Sequence, residues 1–265
     1  MNKLLSLLIS LYLGINLNAQ DFALKQLENS PRHHEWVQVT SGERNVNCFV
    51  TYPEVSGKST VVIVIHENMG LNDWARSFAD QVAAAGYIAI APDLLSDFAP
   101  GKSRTTDFSS SDEARNAIYE LKPEQVKNDL NAVADYAAGI PAGNGKTVAI
   151  GFCWGGTQCF RFASNNSNLK AALVFYGSAP ESKTEIEKIS SPVFGFYGGN
   201  DPRINASIPA TDSLMKVSGK TYEYQIYEGA GHGFMRQGDN PEGSAENKKA
   251  REEAWKRINK IMDGI

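Results

Sequence analysis

Hydrophobic residues follow two rhythms along this chain. In Glu35-Trp36-Val37-Gln38-Val39-Thr40 and Val46-Asn47-Cys48-Phe49-Val50-Thr51, the character of successive positions alternates around Ser41-Gly42-Glu43-Arg44, as in a hairpin at the antiparallel edge of a sheet. From residue 61 solid apolar runs take over: Val61–Ile65, Tyr87–Ile90, Val148–Ile150, Ala172–Phe175 and Val193–Phe196. Such runs mark strands buried on both faces. Helices are predicted between them at 73–85, 124–138, 157–166, 207–217 and 246–262, and Tyr222–Tyr227 is a further strand-like run. Repeated strand, helix, strand order predicts an α/β fold with a mostly parallel, doubly wound sheet. Asp97–Ser111 carries no periodicity and is expected to loop over a sheet end, where long excursions often cover a site.

The chain has 265 residues, 42% hydrophobic and 21% charged, which suits a single domain over residues 35–265. A net charge of -4, with no basic run interleaved with aromatics, argues against a nucleic-acid partner. Residues 1–19 have the charged start, short apolar core and small residue of a cleavable secretory signal, followed by a lead-in at 20–34. Export to the periplasm or medium, with no membrane anchor after cleavage, is the expectation. Three cysteines cannot all pair within one chain. Cys153 and Cys159 stand about 9 Å apart along a helix axis, beyond the reach of a disulfide. Cys48 and Cys159 read as small buried hydrophobes.

Chemistry concentrates in Gly151-Phe152-Cys153-Trp154-Gly155-Gly156, a nucleophile elbow between a strand and a helix with a thiol where the GxSxG form has a hydroxyl. The start of the following helix favours negative charge on a thiolate or an oxyanion. In such folds an acid and then a histidine follow the nucleophile in the chain. Asp201 follows the Val193–Phe196 run, and His232 lies in Gly229-Ala230-Gly231-His232-Gly233-Phe234 after the Tyr222–Tyr227 run. The loop His66-Glu67-Asn68-Met69-Gly70-Leu71-Asn72 offers the Asn68 N–H to partner that of Trp154 at an oxyanion. His66 reads as a strand-end structural residue. Glu67 is a candidate gate: a carboxylate beside the thiol raises its pKa and can accept its proton. His33-His34 lack ligand spacing, and no metal is expected.

Together the elbow at 151–156, the loop at 66–72, Ala91-Pro92-Asp93-Leu94-Leu95, Gly198-Gly199-Asn200-Asp201 and the segment 229–234 resemble the dienelactone hydrolase family of α/β-hydrolases over roughly residues 35–262. The resemblance implies a Cys153–His232–Asp201 triad, Glu67 as partner of the resting thiol, and hydrolysis of small esters or lactones without a cofactor. It also implies substrate-carboxylate binding by Arg236. A second arginine expected after the Ala-Pro-Asp-Leu segment is missing, since Ser96-Asp97-Phe98 stands there, which leaves Arg104 or Arg115 as substitutes. Two readings of other kinds stay open: an exported thiol redox sensor, and a ligand-binding protein on a hydrolase scaffold.

Overall fold

The computed structural model describes residues 21–265, so the predicted signal at 1–19 lies outside the described residues. Eight strands, β1 (His34–Ser41), β2 (Arg44–Thr51), β3 (Ser59–Ile65), β4 (Ile88–Pro92), β5 (Gly143–Phe152), β6 (Ala171–Phe175), β7 (Val193–Asn200) and β8 (Tyr222–Gly231), form one sheet. Its order is β1-β2-β4-β3-β5-β6-β7-β8. The first two strands pair antiparallel with each other, and β2 pairs antiparallel with β4. Every other neighbour is parallel. The two rhythms of the sequence are these two kinds of pairing.

Among the described residues ten α-helices accompany the sheet: α1 (Asp21–Glu28), α2 (Asp73–Ala84), α3 (Ser111–Glu120), α4 (Pro123–Ala138), α5 (Trp154–Asn165), α6 (Lys183–Ile186), α7 (Pro202–Asn205), α8 (Ile208–Val217), α9 (Phe234–Asp239) and α10 (Ala245–Met262). Because successive strand residues point to opposite faces, each solid apolar run feeds two cores. Val62 and Val64 of β3 join Val148, Ile150 and Phe152 of β5 beneath α1, α2, α9 and α10. Val61, Ile63, Ile65 and Ala149 face the other layer, with α4, α5, α6 and α8. Among the described residues no helix is long and apolar enough to cross a membrane.

From β3 the chain steps outward to β4 and then returns to the other side of β3 as β5. Loops leaving β3 and β5 therefore diverge at a topological switch point, where open α/β sheets leave a crevice. Three features differ from the sequence reading. The lead-in holds α1, which packs Phe22, Ala23 and Leu27 on the first core. The excursion after Asp97 ends in α3, capped by the Ser110 side chain on the Glu113 N–H. Its buried stripe is only Ala114, Ala117 and Ile118, too short to register as a period. Finally, β7 and β8 run on to Asn200 and Gly231, so Asp201 and His232 are each the next residue after a strand.

Candidate active site

The Cys153 backbone sits at φ 55°, ψ −115°, between the last residue of β5 and the first of α5. A non-glycine residue there costs about 1–3 kcal/mol, which surrounding structure must hold in place. Two close approaches do so. A Cβ on Gly151 would overlap the Gly155 carbonyl, and one on Gly155 would overlap the carbonyls of Ile65 and His66. Glycine at both positions lets the elbow fold tightly against the end of β3. The Cys153 N–H also donates to the Phe175 carbonyl of β6 at 3.0 Å.

His66 supports that contact from the other side. Its Nε2 accepts the Leu94 N–H at 3.3 Å and its Nδ1 donates to the Glu67 carbonyl at 2.7 Å. The ring is fully buried, which pushes its pKa down, and it stacks on Trp154 with centroids 5.7 Å apart. The residue is structural, as its strand-end position suggests.

Cys153 and His232 line the same cavity, of about 610 Å³, at the carboxyl ends of the parallel strands. The His232 Nδ1 lies 2.5 Å from Oδ2 of Asp201, a carboxylate only 5% exposed. That bond commits Nδ1 as the donor and leaves Nε2 as the nitrogen able to accept a proton. Asp201 is itself fixed as the cap of α7, its Oδ1 accepting from the Ile204 N–H at 3.4 Å. Tyr176 packs edge-on against the imidazole, with centroids 5.0 Å apart.

Glu67, 4% exposed, pairs with the Arg236 Nε through Oε2 at 2.7 Å. Both residues border the cavity. The buried Tyr176 hydroxyl is directed at Glu67 without reaching hydrogen-bond geometry. Burial pushes the Cys153 thiol pKa up, and the Glu67 charge pushes it further. A hydrogen bond from the Trp154 N–H and the charges of Arg203 and Arg236 act the other way and do not win. The balance of these effects favours the protonated thiol.

Asn68 also borders the cavity. Its side chain donates to the Tyr119 hydroxyl at 3.0 Å, and its N–H enters no backbone hydrogen bond among the described residues. The two arginines offered as substitutes lie elsewhere. Arg104 stacks over Trp36 at 4.3 Å, and Arg115 pairs with Asp112 on the surface. Exposed Asp97 accepts from the Asn45 N–H of β2 and does not reach the cavity. Two other arginines do line it, Arg161 of α5 and Arg203 of α7, both passed over in the sequence. A signal for Arg161 existed: Trp154, Thr157, Gln158 and Arg161 follow the i, i+3, i+4, i+7 spacing of one helix face, and all four line the cavity.

Cys48 and Cys159 are fully buried, with thiols directed at the carbonyls of Val46 and Leu173. All three cysteines are free. Among the described residues no group of three His, Cys, Asp or Glu side chains is placed to hold a metal ion.

An eight-stranded, mostly parallel sheet carrying a strained strand-to-helix elbow after its central strand β5 defines an α/β-hydrolase fold. Solved structures agree on that architecture. One titled "Putative Dienelactone Hydrolase", from Klebsiella pneumoniae, superposes with a TM-score of 0.76 at 23% identity, covering 88% of this chain and 99% of that one. The chain belongs to the dienelactone hydrolase family, whose sequence profile matches residues 46–265. A relative from Saccharolobus solfataricus named "Putative carboxymethylenebutenolidase" is 31% identical over 248 residues, spanning 82% of this chain and 93% of the relative. Another of that name, from Yersinia pestis, is 31% identical over 223 residues, with 80% and 82% covered.

Proposed function

We propose that the protein hydrolyses small carboxylic esters or lactones through a Cys153–His232–Asp201 triad. What carries this reading is one cavity that holds both a thiol on a strained elbow and an imidazole anchored by a buried carboxylate. His232 Nε2 takes the thiol proton as Cys153 Sγ bonds to the carbonyl carbon, and Asp201 holds the resulting imidazolium. The carbonyl π electrons move onto oxygen, where the N–H groups of Trp154 and Asn68 stabilise the charge. Losing one such donor costs about 2.7–4 kcal/mol of barrier. The tetrahedral species expels the alkoxide, which leaves with the proton from His232. Water then attacks the thioester, giving up its proton to His232, and the carboxylic acid and thiol are regenerated.

Glu67 has a second part in this reading. Its charge helps keep the resting thiol protonated, which protects it from oxidation, because the thiolate is the species that oxidants attack. That speaks against a redox sensor. Export by a cleaved signal belongs to the same proposal, with a free thiol kept inert until substrate enters. The test is hydrolysis of a neutral aryl acetate by purified protein, with mass spectrometry for an acetyl adduct. Cys153→Ala is expected to lose the adduct and about 10³-fold or more in kcat. Full turnover in that variant would sink the triad.

A further inference from the structure

The sheet stops holding the chain where the histidine begins. Strand β8 ends at Gly231, and its pairing with β7 is already irregular between Gly198 and Asn200. Gly229 and Gly233, at φ 74° and 75°, bracket His232 in the left-handed region that glycine enters without steric cost. Asp201 fixes one ring nitrogen of His232, but a single bond at the tip of a side chain leaves the main chain beneath it unsecured. Two side-chain amides secure it.

Asn247, 7% exposed, lies in the first turn of α10. Ser244 caps that helix and accepts the Asn247 N–H at 3.3 Å, so the Asn247 side chain is left to serve another segment. Its Oδ1 accepts the Gly231 N–H at 3.0 Å. Its Nδ2 donates to Oε1 of Gln237 at 2.9 Å, and the Gln237 Nε2 donates to the His232 carbonyl at 2.8 Å. The main chain sets the polarity of this relay at both ends, because the Gly231 N–H needs an oxygen and the His232 carbonyl needs a nitrogen. Neither amide can turn over without setting like groups against each other. The helices that carry them are fixed in turn. Helix α9 buries Phe234 and Met235 in the first core, and α10 buries Ala250, Ala254, Ile258 and Met262 there. A Cβ on Gly238 would overlap the Asn247 carbonyl, so glycine lets the two helices approach closely enough for the amides to meet.

We propose that Asn247 and Gln237 are positioning residues for His232: together they clamp the Gly231 N–H and the His232 carbonyl, so that the imidazole keeps Nδ1 on Asp201 and leaves Nε2 for the thiol proton. This deepens the hydrolase reading and rests on it. The clamp touches neither substrate nor reacting atoms and acts only through the main chain of the histidine. Proton transfer to a general base needs heavy atoms within about 2.6–3.2 Å, and misplacing a reacting group by about 1 Å costs on the order of 10²-fold. Rigid helices carrying a locked pair of amides supply that constraint where the strand no longer can.

The test breaks the relay at chosen bonds. Gln237→Met removes the amide at a half-buried position and keeps the length of the side chain. Asn247→Asp keeps an acceptor for the Gly231 N–H and loses the donor to Gln237, and Asn247→Ala loses both. On a neutral aryl acetate each should lower kcat about tenfold with KM little changed. The double variant of Asn247→Ala with Gln237→Met should lose little more than the worse single one, because linked groups act as a unit. In proton NMR the low-field resonance of the His232 Nδ1–H held by Asp201, identified by its loss in His232→Gln, should broaden or weaken in the same variants. A fall in kcat with that resonance unchanged, or a changed resonance with full kcat, would overturn the clamp, as would losses that multiply fully in the double variant. Gln237 adjoins Arg236, so the pH midpoint for alkylation of Cys153 is followed in parallel. It should stay at the wild-type value, and a shift would assign the loss to the Glu67–Arg236 pair instead. A wild type whose resonance responds to these substitutions but which has no Cys153-dependent turnover would overturn the hydrolase reading and leave the hold on the ring standing.

Discussion

Two carboxylates in this molecule are almost equally buried and are held in opposite ways. Asp80 of α2, 3% exposed, accepts from the Ser30 hydroxyl at 2.7 Å, from Arg32 at 2.8 and 2.5 Å, and from His34 at 2.8 Å. Those hydrogen bonds and the Arg32 charge outweigh its burial and hold its pKa below the ordinary carboxylate range. Glu67 has only the Arg236 Nε on one oxygen. A carboxylate with both oxygens held, by four donors in all, is a staple, here fastening the start of β1 and the chain before it onto α2. One held through a single oxygen, with a cysteine thiol and a tyrosine hydroxyl nearby, can change partner as substrate enters. What separates the structural carboxylate from the one proposed for chemistry is how many donors the fold supplies, since burial is alike.

Removing the staple should have the largest effect on stability. Asp80→Ala leaves Arg32 and His34 without their acceptor and is expected to cost about 3 kcal/mol, read as a lowered denaturation midpoint, with the kcat of the remaining folded protein little changed. Asp80→Asn sharpens the contrast through pH. Because the folded-state pKa is depressed, the stability Asp80 contributes is fully present above its unfolded value of about 4 and is lost as pH falls through the folded value. The wild type should therefore lose stability more steeply than Asp80→Asn in acid titrations, and coinciding curves would deny the staple its charge.

At Glu67 the expected change is in reactivity. Glu67→Gln removes the like charge beside Cys153 and frees Arg236, both of which lower the thiol pKa. Alkylation by iodoacetamide near neutral pH should become severalfold faster and its pH midpoint should move down. Arg236→Gln should do the reverse by a smaller amount, since burial and Glu67 already dominate the thiol. If both substitutions shifted the midpoint the same way, Glu67 would not be acting through its charge.

Much of the fold and part of the site were legible beforehand, for local reasons. Solid runs such as Val61–Ile65 need cover on both faces whatever their partners, so the parallel sheet follows from the run itself. The elbow is equally local: Gly151 and Gly155 stand where any Cβ would strike backbone. Asp201 and His232 were visible because each is the next residue after a strand. Arg161 was missed because a lone arginine on an amphipathic helix reads as solvated until a neighbouring wall encloses it. The missing arginine after Leu95 suggested Arg104 or Arg115, yet Arg104 is taken by the Trp36 ring and Arg115 by Asp112. His34 looked idle, and only the packing of the lead-in against α2 gives it Asp80.

By itself the sequence determined the strand and helix rhythm, the thiol on its strained turn, and the placing of Cys153, Asp201 and His232 in that order after strands, because each depends on near neighbours in the chain. Tertiary structure decided the charge environment: Glu67 against Arg236 across 169 positions, Asp80 against three residues of the lead-in, and Arg161 and Arg203 on the cavity wall. Coulomb energies depend on distance through space and on how much water the fold removes between charges, and neither quantity is written in the order of residues.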